Sequence, residues 1–313
     1  MRVYVTGASG YIGSHVVQSL AAEGHEVVGI DNYSLKENFP TPDGVPIHKI
    51  DISKQTSVDQ LSEIFADSIG DAVVMHLAAK KSVAESVRNP SLYKENNVEG
   101  TRNLLEAMNK AGLKKIIFAS TAAVYGNSEH PIDESAPCAP QSPYAQTKLL
   151  EEALIRQYVD SKSIKAIIFR FFNVAGAGSR NLIEKSGDNL FPQILQAYAK
   201  KETFKVFGNA YPTRDGTCIR DYVHVLDIAK AHVQALSRFD ADDLQIINLG
   251  SGNGSSVLEV IEEFRKHFAL PYEFSAPRDG DFASLLTNIS EAARRLSWAP
   301  THTLEEMVKS SLA

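Results

Sequence analysis

The hydrophobic residues of this chain fall into short apolar runs that alternate with segments of helical spacing. In the first such segment Val16, Val17 and Leu20 recur on one helical face, and Leu104 and Leu105 do so in a later one. The apolar runs predict buried strands at residues 3–5, 26–30, 47–50, 72–77, 115–119 and 165–170. The repeated order of strand, helix and strand predicts a Rossmann-type α/β fold with a doubly wound parallel sheet.

This regularity ends after Asn173, where residues 176–189 are polar and rich in glycine. The change predicts a boundary between a Rossmann domain at residues 1–176 and a smaller mixed α/β lobe at residues 177–313. Apolar runs at residues 223–236 and 244–249 predict a helix and a strand that return to the first domain. Residues 222–250 are therefore assigned to it, and the boundary is not expected to be clean.

Composition and charge narrow the class of protein. The chain has 313 residues, 43% of them hydrophobic, and a net charge of −6 without a run of Lys or Arg, so we expect no nucleic-acid partner. No apolar run reaches the roughly 18 residues of a membrane span, so we expect no membrane partner. Cys138 and Cys218 predict no disulfide framework, which fits a cytoplasmic protein. The histidines, among them His76 and His224, lack the spacing of metal ligands, so no metal site is predicted.

A glycine-rich turn follows the first predicted strand directly. Gly7, Gly10 and Gly13 have the spacing GxxGxxG and open a helix whose N-terminal amides can bind a pyrophosphate. A tight turn without a ligand would use the same residues. However, Asp31 stands about 20 residues further on, at the end of the second strand, where a carboxylate accepts hydrogen bonds from the adenosine ribose. This carboxylate would repel a 2′-phosphate, so the pattern favours NAD over NADP. Asp51 fits either an adenine contact or a helix N-cap.

A second group of polar residues carries acid–base chemistry. Tyr144 and Lys148 stand four residues apart at the start of a predicted helix, and Ser120 and Thr121 follow the apolar run at residues 115–119. Alone, the Tyr–Lys pair fits a solvated helix edge. The carboxyl ends of parallel strands bind ligands, however, which places a hydroxyl group next to the pair. A cation near a phenol lowers its pKa, so Tyr144 becomes a candidate acid or base.

These residues belong to motifs that resemble the extended short-chain dehydrogenases, most closely their UDP-glucose 4-epimerase family. The motifs follow one another in order along nearly the whole chain. The segments that carry the resemblance are TGASGYIGSH, IDN, HLAAKKSVAESVRNPSLYKENNVEGT, ASTAAVYG, PQSPYAQTK, FRFFNVAGA, FGNAYPTRDGTCIRDYVHV and PRDGD.

The resemblance implies NAD as cofactor, a UDP-sugar as substrate and a catalytic triad of Thr121, Tyr144 and Lys148. The residues implied to surround NAD are Gly7, Gly10, Tyr11, Ile12, Gly13, Asp31, Asn32, Asp51, Ile52, Leu77, Ala78, Ala79, Lys81, Asn96, Thr121, Tyr144, Lys148 and Phe172. The residues implied to hold the nucleotide sugar are Thr121, Tyr144, Asn173, Asn189, Leu190, Phe207, Arg220, Arg278, Asp281 and Leu285. Guanidinium groups suit a diphosphate, although without the resemblance either arginine fits an ordinary surface position.

The implied reaction begins with oxidation of a sugar hydroxyl to a bound ketone. The ketone can be released, lose water or be reduced again from its other face. Dehydratases of the superfamily carry Asp and Glu directly after the catalytic Thr, where this chain has Ala122 and Ala123. Elimination is therefore disfavoured, and the resemblance implies inversion of C4 between UDP-glucose and UDP-galactose with tightly bound NAD.

Several alternatives stay open at this point. Leu285 stands where some relatives have a bulky Tyr, so the hypothesis includes a UDP-N-acetylhexosamine, and a UDP-hexuronic acid would need an additional cation. A sugar reductase would usually use NADP, which Asp31 opposes. A non-catalytic NAD-binding protein would keep the fold, but the intact triad argues against it. Relatives commonly pair through two helices, so we expect a homodimer through the helices around residues 98–108 and 149–158.

Overall fold

A computed structural model describes residues 1–35, 38–68, 71–126, 128, 130–161, 164–184, 187–278 and 281–312. Asp279 and Gly280 of the PRDGD segment lie outside these ranges. The strands of the described residues, in chain order, are β1 (Arg2–Thr6), β2 (Glu26–Asp31), β3 (Ile47–Lys49), β4 (Ala72–His76), β5 (Lys115–Thr121), β6 (Lys165–Phe171), β7 (Asn173–Ala175), β8 (Phe204–Phe207), β9 (Ile219–Arg220), β10 (Tyr222–His224), β11 (Leu244–Leu249), β12 (Ser255–Ser256), β13 (Tyr272–Ser275) and β14 (Ser284–Leu285).

The α-helices surround the strands. In the same ranges and order, they are α1 (Tyr11–Ala22), α2 (Ser57–Ala66), α3 (Val83–Arg88), α4 (Pro90–Tyr93), α5 (Gly100–Ala111), α6 (Pro143–Asp160), α7 (Leu190–Lys200), α8 (Val225–Ala235), α9 (Val257–Arg265), α10 (Ser290–Leu296) and α11 (Leu304–Leu312). None of the helices in the described ranges is long and apolar enough to cross a membrane.

The main sheet confirms the predicted Rossmann-type fold. In the described part of the chain it has seven parallel strands in the order β11-β6-β5-β4-β1-β2-β3. The chain runs outward from β1 to β3 and then crosses back to β4, so the strand order reverses between β1 and β4. Ligands of open α/β sheets bind at the carboxyl ends of the strands beside such a reversal. Both the glycine-rich turn after β1 and the loop after β4 lie there.

Alternation of side chains along the strands builds a core on each face of this sheet. Val3 and Val5 of β1 pack with α1 and α8 on one face, whereas Tyr4 packs with α2, α5 and α6 on the other. β11 pairs with β6 along its full length, and α8 packs against α1. The main sheet therefore includes residues that follow the polar segment at 176–189.

A third core lies beyond the main sheet. It is formed by apolar residues of α7, β8, α9 and α11, with Phe191, Val206 and Phe264 among its buried members. Small strand pairs surround it: β8 pairs with β13, β7 with β10, and β9 with β12 and β14. This smaller mixed α/β region matches the second lobe of the predicted fold class, and it holds the strands β9 and β14 next to the end of the main sheet.

The helix before β5 differs from the regular helix that its apolar spacing predicts. Residues Lys94–Glu99 form a π-helical stretch that leads directly into α5. Within it, Asn97 donates to the Lys80 carbonyl and to the Thr147 hydroxyl, and accepts from the Lys80 amide. The stretch therefore ties the loop after β4 to α6. Such local widening is common at functional sites.

Candidate active site

The turn between β1 and α1 depends on glycine because the backbone is crowded there. Gly7 has a φ of +71°, and a Cβ at Gly13 would lie 1.9 Å from the Gly7 carbonyl oxygen. Gly10 is the N-cap of α1, and within the described residues no side chain caps that end of the helix. The first amides of a helix lack intrahelical partners, so those of Tyr11 and Ile12 are suited to a phosphate group.

Two acidic residues lie at the ends of strands near this turn. The Asp31 carboxylate accepts hydrogen bonds from the amides of Ser9 (2.9 Å) and Tyr33 (2.8 Å), which fix it beside the turn. Asp51 accepts from the Ser53 amide and hydroxyl, while the N-cap of α2 is Thr56. Asp51 thus closes a local turn and does not cap α2.

Other residues of the implied cofactor set surround the same edge of the sheet. The Leu77 amide donates to the Thr6 carbonyl, and the Ala78 amide donates to the Thr6 hydroxyl at 3.3 Å. Ala79 and Lys81 continue this loop, and Lys81 forms an ion pair with Glu184. The remaining members are the half-buried Asn32 and Asn96, and the buried Ile52 and Phe172.

The start of α6 positions two residues of the implied triad, Tyr144 and Lys148. The Ser142 hydroxyl accepts from the Ala145 amide and caps the helix, and Pro143 fits its first turn. Tyr144 and Lys148 then project from the same face, toward the end of β5, where the Thr121 hydroxyl lies near enough to the Tyr144 phenol to lower its pKa. The structure therefore brings the three residues of the implied triad together.

The surroundings of the Tyr144 phenol oppose its ionisation. Burial raises the pKa of Tyr144 well above its ordinary value, the Thr121 hydrogen bond lowers it in part, and the charge of Glu151 raises it further. Its ring also meets that of Tyr93 edge to face, with centroids 6.5 Å apart. A useful base at this position requires additional positive charge.

Sequence reasoning missed the closest charged neighbour of Lys148. The Lys148 Nζ lies 3.5 Å from Oε1 and 3.4 Å from Oε2 of Glu151, and 4.5 Å from the centroid of the Phe118 ring. Lys148 and Glu151 are both buried. Their spacing of three residues on the helix face that carries Tyr144 was the available signal.

A separate cleft opens between α1 and the third core. Its empty volume, part of which is open to solvent, is about 1080 Å³. Seven of the ten residues implied to hold the nucleotide sugar line this cleft: Asn173, Asn189, Leu190, Phe207, Arg220, Arg278 and Asp281. Glu184 and Tyr222 also line it, and they were not among the expected residues.

The cleft contains two guanidinium groups. Arg220 donates to the carbonyls of Phe282 (2.7 Å) and Ile219 (3.0 Å), and its Nη2 lies 3.4 Å from Asp281. The exposed guanidinium of Arg278 stacks 3.8 Å from the centroid of the Phe207 ring. These groups provide two guanidinium groups and a flat aromatic surface, which suit a nucleoside diphosphate.

The other three residues of the implied sugar set do not line the cleft. Thr121 and Tyr144 lie at the ends of β5 and α6, outside the cleft wall. Leu285 pairs in register with Arg220 and packs against the apolar cluster of Ala122, Val124, Tyr125, Ile132 and Phe172. Since Ala122 follows Thr121 directly, Leu285 lies between the arginine-lined cleft and the triad.

Comparison with known proteins gives the same assignment along nearly the whole chain. Residues 3–250 match the NAD dependent epimerase/dehydratase family. A UDP-glucose 4-epimerase of Streptomyces lividans is 41% identical over 305 residues, which are 96% of this chain and 92% of that protein. A UDP-glucose 4-epimerase of Bifidobacterium longum, solved in complex with NAD+ and UDP, is 34% identical with a TM-score of 0.90, and the match covers 100% of this chain and 97% of that one.

A second solved structure is similar to the same degree. The UDP-glucose 4-epimerase of Stenotrophomonas maltophila, with bound NAD and formylated UDP-arabinopyranose, is 35% identical, has a TM-score of 0.91, and matches over 99% of this chain and 96% of that one. The chain therefore belongs to the NAD-dependent epimerase/dehydratase family, in the branch formed by the UDP-glucose 4-epimerases.

Proposed function

We propose that this protein is a UDP-glucose/UDP-galactose 4-epimerase that inverts C4 of the sugar through a transient 4-keto sugar, with NAD held throughout. The observation that carries the proposal is that Thr121 and Tyr144 come together at the carboxyl end of the sheet, while seven residues implied to hold the nucleotide sugar line one cleft. NAD, when bound, supplies the reversible hydride acceptor for the sugar carbon. The protein supplies binding, orientation and proton transfer.

The residues at the edge of the sheet fit this cofactor. The uncapped N-terminus of α1 suits the pyrophosphate, and a Cβ at Gly7 would lie 2.8 Å from the Ala78 amide nitrogen, so only glycine allows the turn to pack under the loop after β4. The oriented carboxylate of Asp31 suits two ribose hydroxyls and repels a 2′-phosphate. The full set that we propose for NAD is the one implied by the sequence motifs.

The side chains of the triad divide the proton chemistry among them. Tyr144 takes the proton of the sugar hydroxyl and returns it when the ketone is reduced from its other face. Thr121 orients the same oxygen through its hydroxyl, and Lys148 supplies the positive charge that favours the phenolate. Arg220 and Arg278 hold the diphosphate, so the sugar can turn over while its nucleotide stays fixed.

Two observations bear on the fate of the ketone and on the size of the sugar. The short 3₁₀ turn after Thr121 carries Ala122 and Ala123, which supply no acid or base for loss of water. Leu285 closes the apolar side of the site and leaves more room than an aromatic residue would. We therefore keep a UDP-N-acetylhexosamine as a second candidate substrate.

The test is incubation of the purified protein with UDP-galactose without added cosubstrate, while a coupled dehydrogenase follows UDP-glucose. We expect UDP-glucose to form, and we expect Tyr144→Phe to lower the rate by about 10²-fold or more because the phenolic proton carrier is lost. Tyr125→Phe is the matched control, since the Tyr125 hydroxyl bonds to Asn248 and has no proposed role in proton transfer. Absence of product with either UDP-galactose or UDP-N-acetylglucosamine would contradict the proposal.

We further propose that the protein is a cytoplasmic homodimer. The apolar side chains of α5, including Leu104 and Met108, are buried in the core of the chain and are not free for a partner. In contrast, Leu150 on α6 is 49% exposed, and α3 and α4, which pack against α6, expose Val87 and Leu92. This exposed apolar surface supports pairing through α6. Cys138 and Cys218 are both free thiols, which a reducing compartment would preserve.

A further inference from the structure

Two adjacent glutamates on α6 are buried, but they have different partners. Glu152 is fully engaged: Arg170 donates to both of its oxygens, at 3.0 and 2.6 Å, and the Ser120 hydroxyl donates at 2.5 Å. Glu151 faces Lys148 instead, and within the described residues its Oε2 has no hydrogen-bond partner. A buried carboxylate without a full set of hydrogen bonds is costly for the fold, so the position of Glu151 calls for a reason beyond stability.

Burial raises the pKa of the Glu151 carboxyl, whereas the Lys148 ammonium group and a series of hydroxyl and imidazole groups favour its charged form. The Thr101 hydroxyl donates to Glu151 Oε1 at 2.8 Å, so its oxygen accepts from His76 Nε2 at 2.9 Å. His76 Nδ1 then accepts from the Thr6 hydroxyl at 2.7 Å. Burial, together with the charge of Lys148, lowers the pKa of His76 to about 3, so the ring stays neutral. Each hydrogen bond in this series is donated in the direction of the Glu151 carboxylate, and hydrogen bonds to a carboxylate favour its charged form.

The Glu151 carboxylate and the Lys148 ammonium group form a buried pair beside Tyr144. The titratable groups that face the pair are Tyr144 and Glu152 on α6 and His76 on β4. α5 contributes only the Thr101 hydroxyl, and β5 contributes the ring of Phe118. Because Arg170 neutralises Glu152 and His76 is neutral, Glu151 is the unbalanced negative charge that opposes Lys148.

We propose that Glu151 is a positioning residue for the epimerase reaction: it holds the ammonium group of Lys148 and sets the net charge beside Tyr144. This inference rests on the proposed function. The paired ammonium stabilises the Tyr144 phenolate less than a lone ammonium would, which keeps the phenol a strong enough base for a sugar hydroxyl. Glu151 does not line the cleft, and it acts through its contact with Lys148 and through its charge beside Tyr144.

The test is the pH dependence of kcat in Glu151→Gln, which removes the charge and keeps the shape of the side chain. Loss of a nearby negative charge favours the phenolate and lowers the pKa of Tyr144. We therefore expect the acidic limb of the profile to move to lower pH by about one unit. Glu151→Asp keeps the charge and should keep the limb near that of the wild type. Glu152→Gln is the matched control, because Glu152 pairs with Arg170 and not with Lys148 and does not contribute to the pKa of Tyr144, so its limb should not move.

A second measurement does not depend on turnover. Tyrosinate absorbance of the NAD-loaded protein, taken as the difference from Tyr144→Phe, should show the same shift in Glu151→Gln. If wild-type protein shows no epimerisation, the proposed function fails while this titration still tests the charge balance. If Glu151→Gln does not fold, Thr101→Val, which removes the donor to the carboxylate, should move the limb in the same direction by a smaller amount. A folded Glu151→Gln with an unchanged limb and unchanged titration would overturn the inference.

Discussion

The phenol of Tyr144 lies in surroundings that work in opposite directions. Burial and the Glu151 charge oppose its ionisation, whereas the Thr121 hydroxyl favours it. A proton carrier near neutral pH needs these contributions to be balanced, because its pKa must lie close to the working pH. At the scale of single residues, the chemistry therefore depends on a few hydroxyl and charged groups around one oxygen atom.

Thr121→Val should show how strongly the Thr121 hydroxyl lowers the pKa of Tyr144. The variant loses the hydroxyl that donates to the phenolate, so the pKa of Tyr144 rises and the acidic limb of the kcat profile moves to higher pH. We expect activity near neutral pH to fall by about 10²-fold. Thr121→Ser should recover most of it, since the hydroxyl returns. A Val variant with the pH profile of the wild type would show that Thr121 does not act on the phenol.

Asp31 should decide which dinucleotide binds. In Asp31→Asn one acceptor oxygen and the negative charge are gone, so the hydrogen bonds to the ribose of NAD weaken and the 2′-phosphate of NADP is no longer repelled. We expect NAD to bind about 10-fold more weakly and the affinity for NADP to rise relative to that for NAD. Calorimetry on protein stripped of nucleotide measures both. The same substitution at the exposed Asp43 should change neither affinity.

At the scale of elements, the joint between β1 and α1 carries the proposed nucleotide site. Gly7 takes a left-handed conformation, and the first turn of α1 packs so closely on it that Gly13 has no room for a side chain. The proposed pyrophosphate site therefore depends on how one strand meets one helix. Any change that separates the two elements should affect both stability and cofactor binding.

Gly13→Ala tests this joint. Its Cβ would overlap the Gly7 carbonyl oxygen, so α1 must shift, and we expect the free energy of unfolding to fall by about 2 kcal/mol. NAD retention should fall with it. Gly24→Ala, beyond the other end of α1, meets nothing within 4 Å and suffers only from its φ of +77°, so it should cost about 1 kcal/mol and leave NAD bound. Denaturant unfolding and nucleotide content of the purified variants measure the two effects. Equal losses in both variants would contradict this account.

The elements of the main sheet could be predicted because each strand is a buried apolar run with a clear beginning and end. The strand predicted at residues 3–5 is observed as Arg2–Thr6, and the one predicted at residues 244–249 has the same bounds in the structure. The π-helical stretch before α5 could not be predicted, since it depends on side-chain contacts of Asn97 with distant segments. The spacing of Tyr144 and Lys148 indicated their common face, but the position of Glu151 against Lys148 depends on tertiary packing.

At the scale of the whole molecule, the candidate site is assembled from both regions of the chain. The main sheet supplies the glycine-rich turn and the triad, and the third core supplies the arginine-lined wall of the cleft. Sequence motifs could indicate the residues of each part separately. They could not give the ion pair of Lys81 with Glu184, which joins the two parts.

The outer surface of α6 should determine the oligomeric state. We expect the wild-type protein to sediment as a dimer at micromolar concentration, and Leu150→Glu to sediment as a monomer, because a buried charge in an apolar interface is unfavourable. Phe274→Glu is the control, since Phe274 is 45% exposed on β13, away from α6. A monomeric wild-type protein would contradict the proposed dimer.

Tyr11 lies at both the glycine-rich turn and the cleft. Its backbone begins α1, and its hydroxyl donates to the Gly176 carbonyl at 2.5 Å, in the wall of the cleft. One side chain therefore connects the pyrophosphate turn to the surface that would receive the nucleotide sugar. Any coupling free energy between two binding sites acts equally in both directions. A change at Tyr11 that alters the affinity for the dinucleotide when the cleft is filled must therefore alter the affinity of the cleft by the same factor when the dinucleotide is bound.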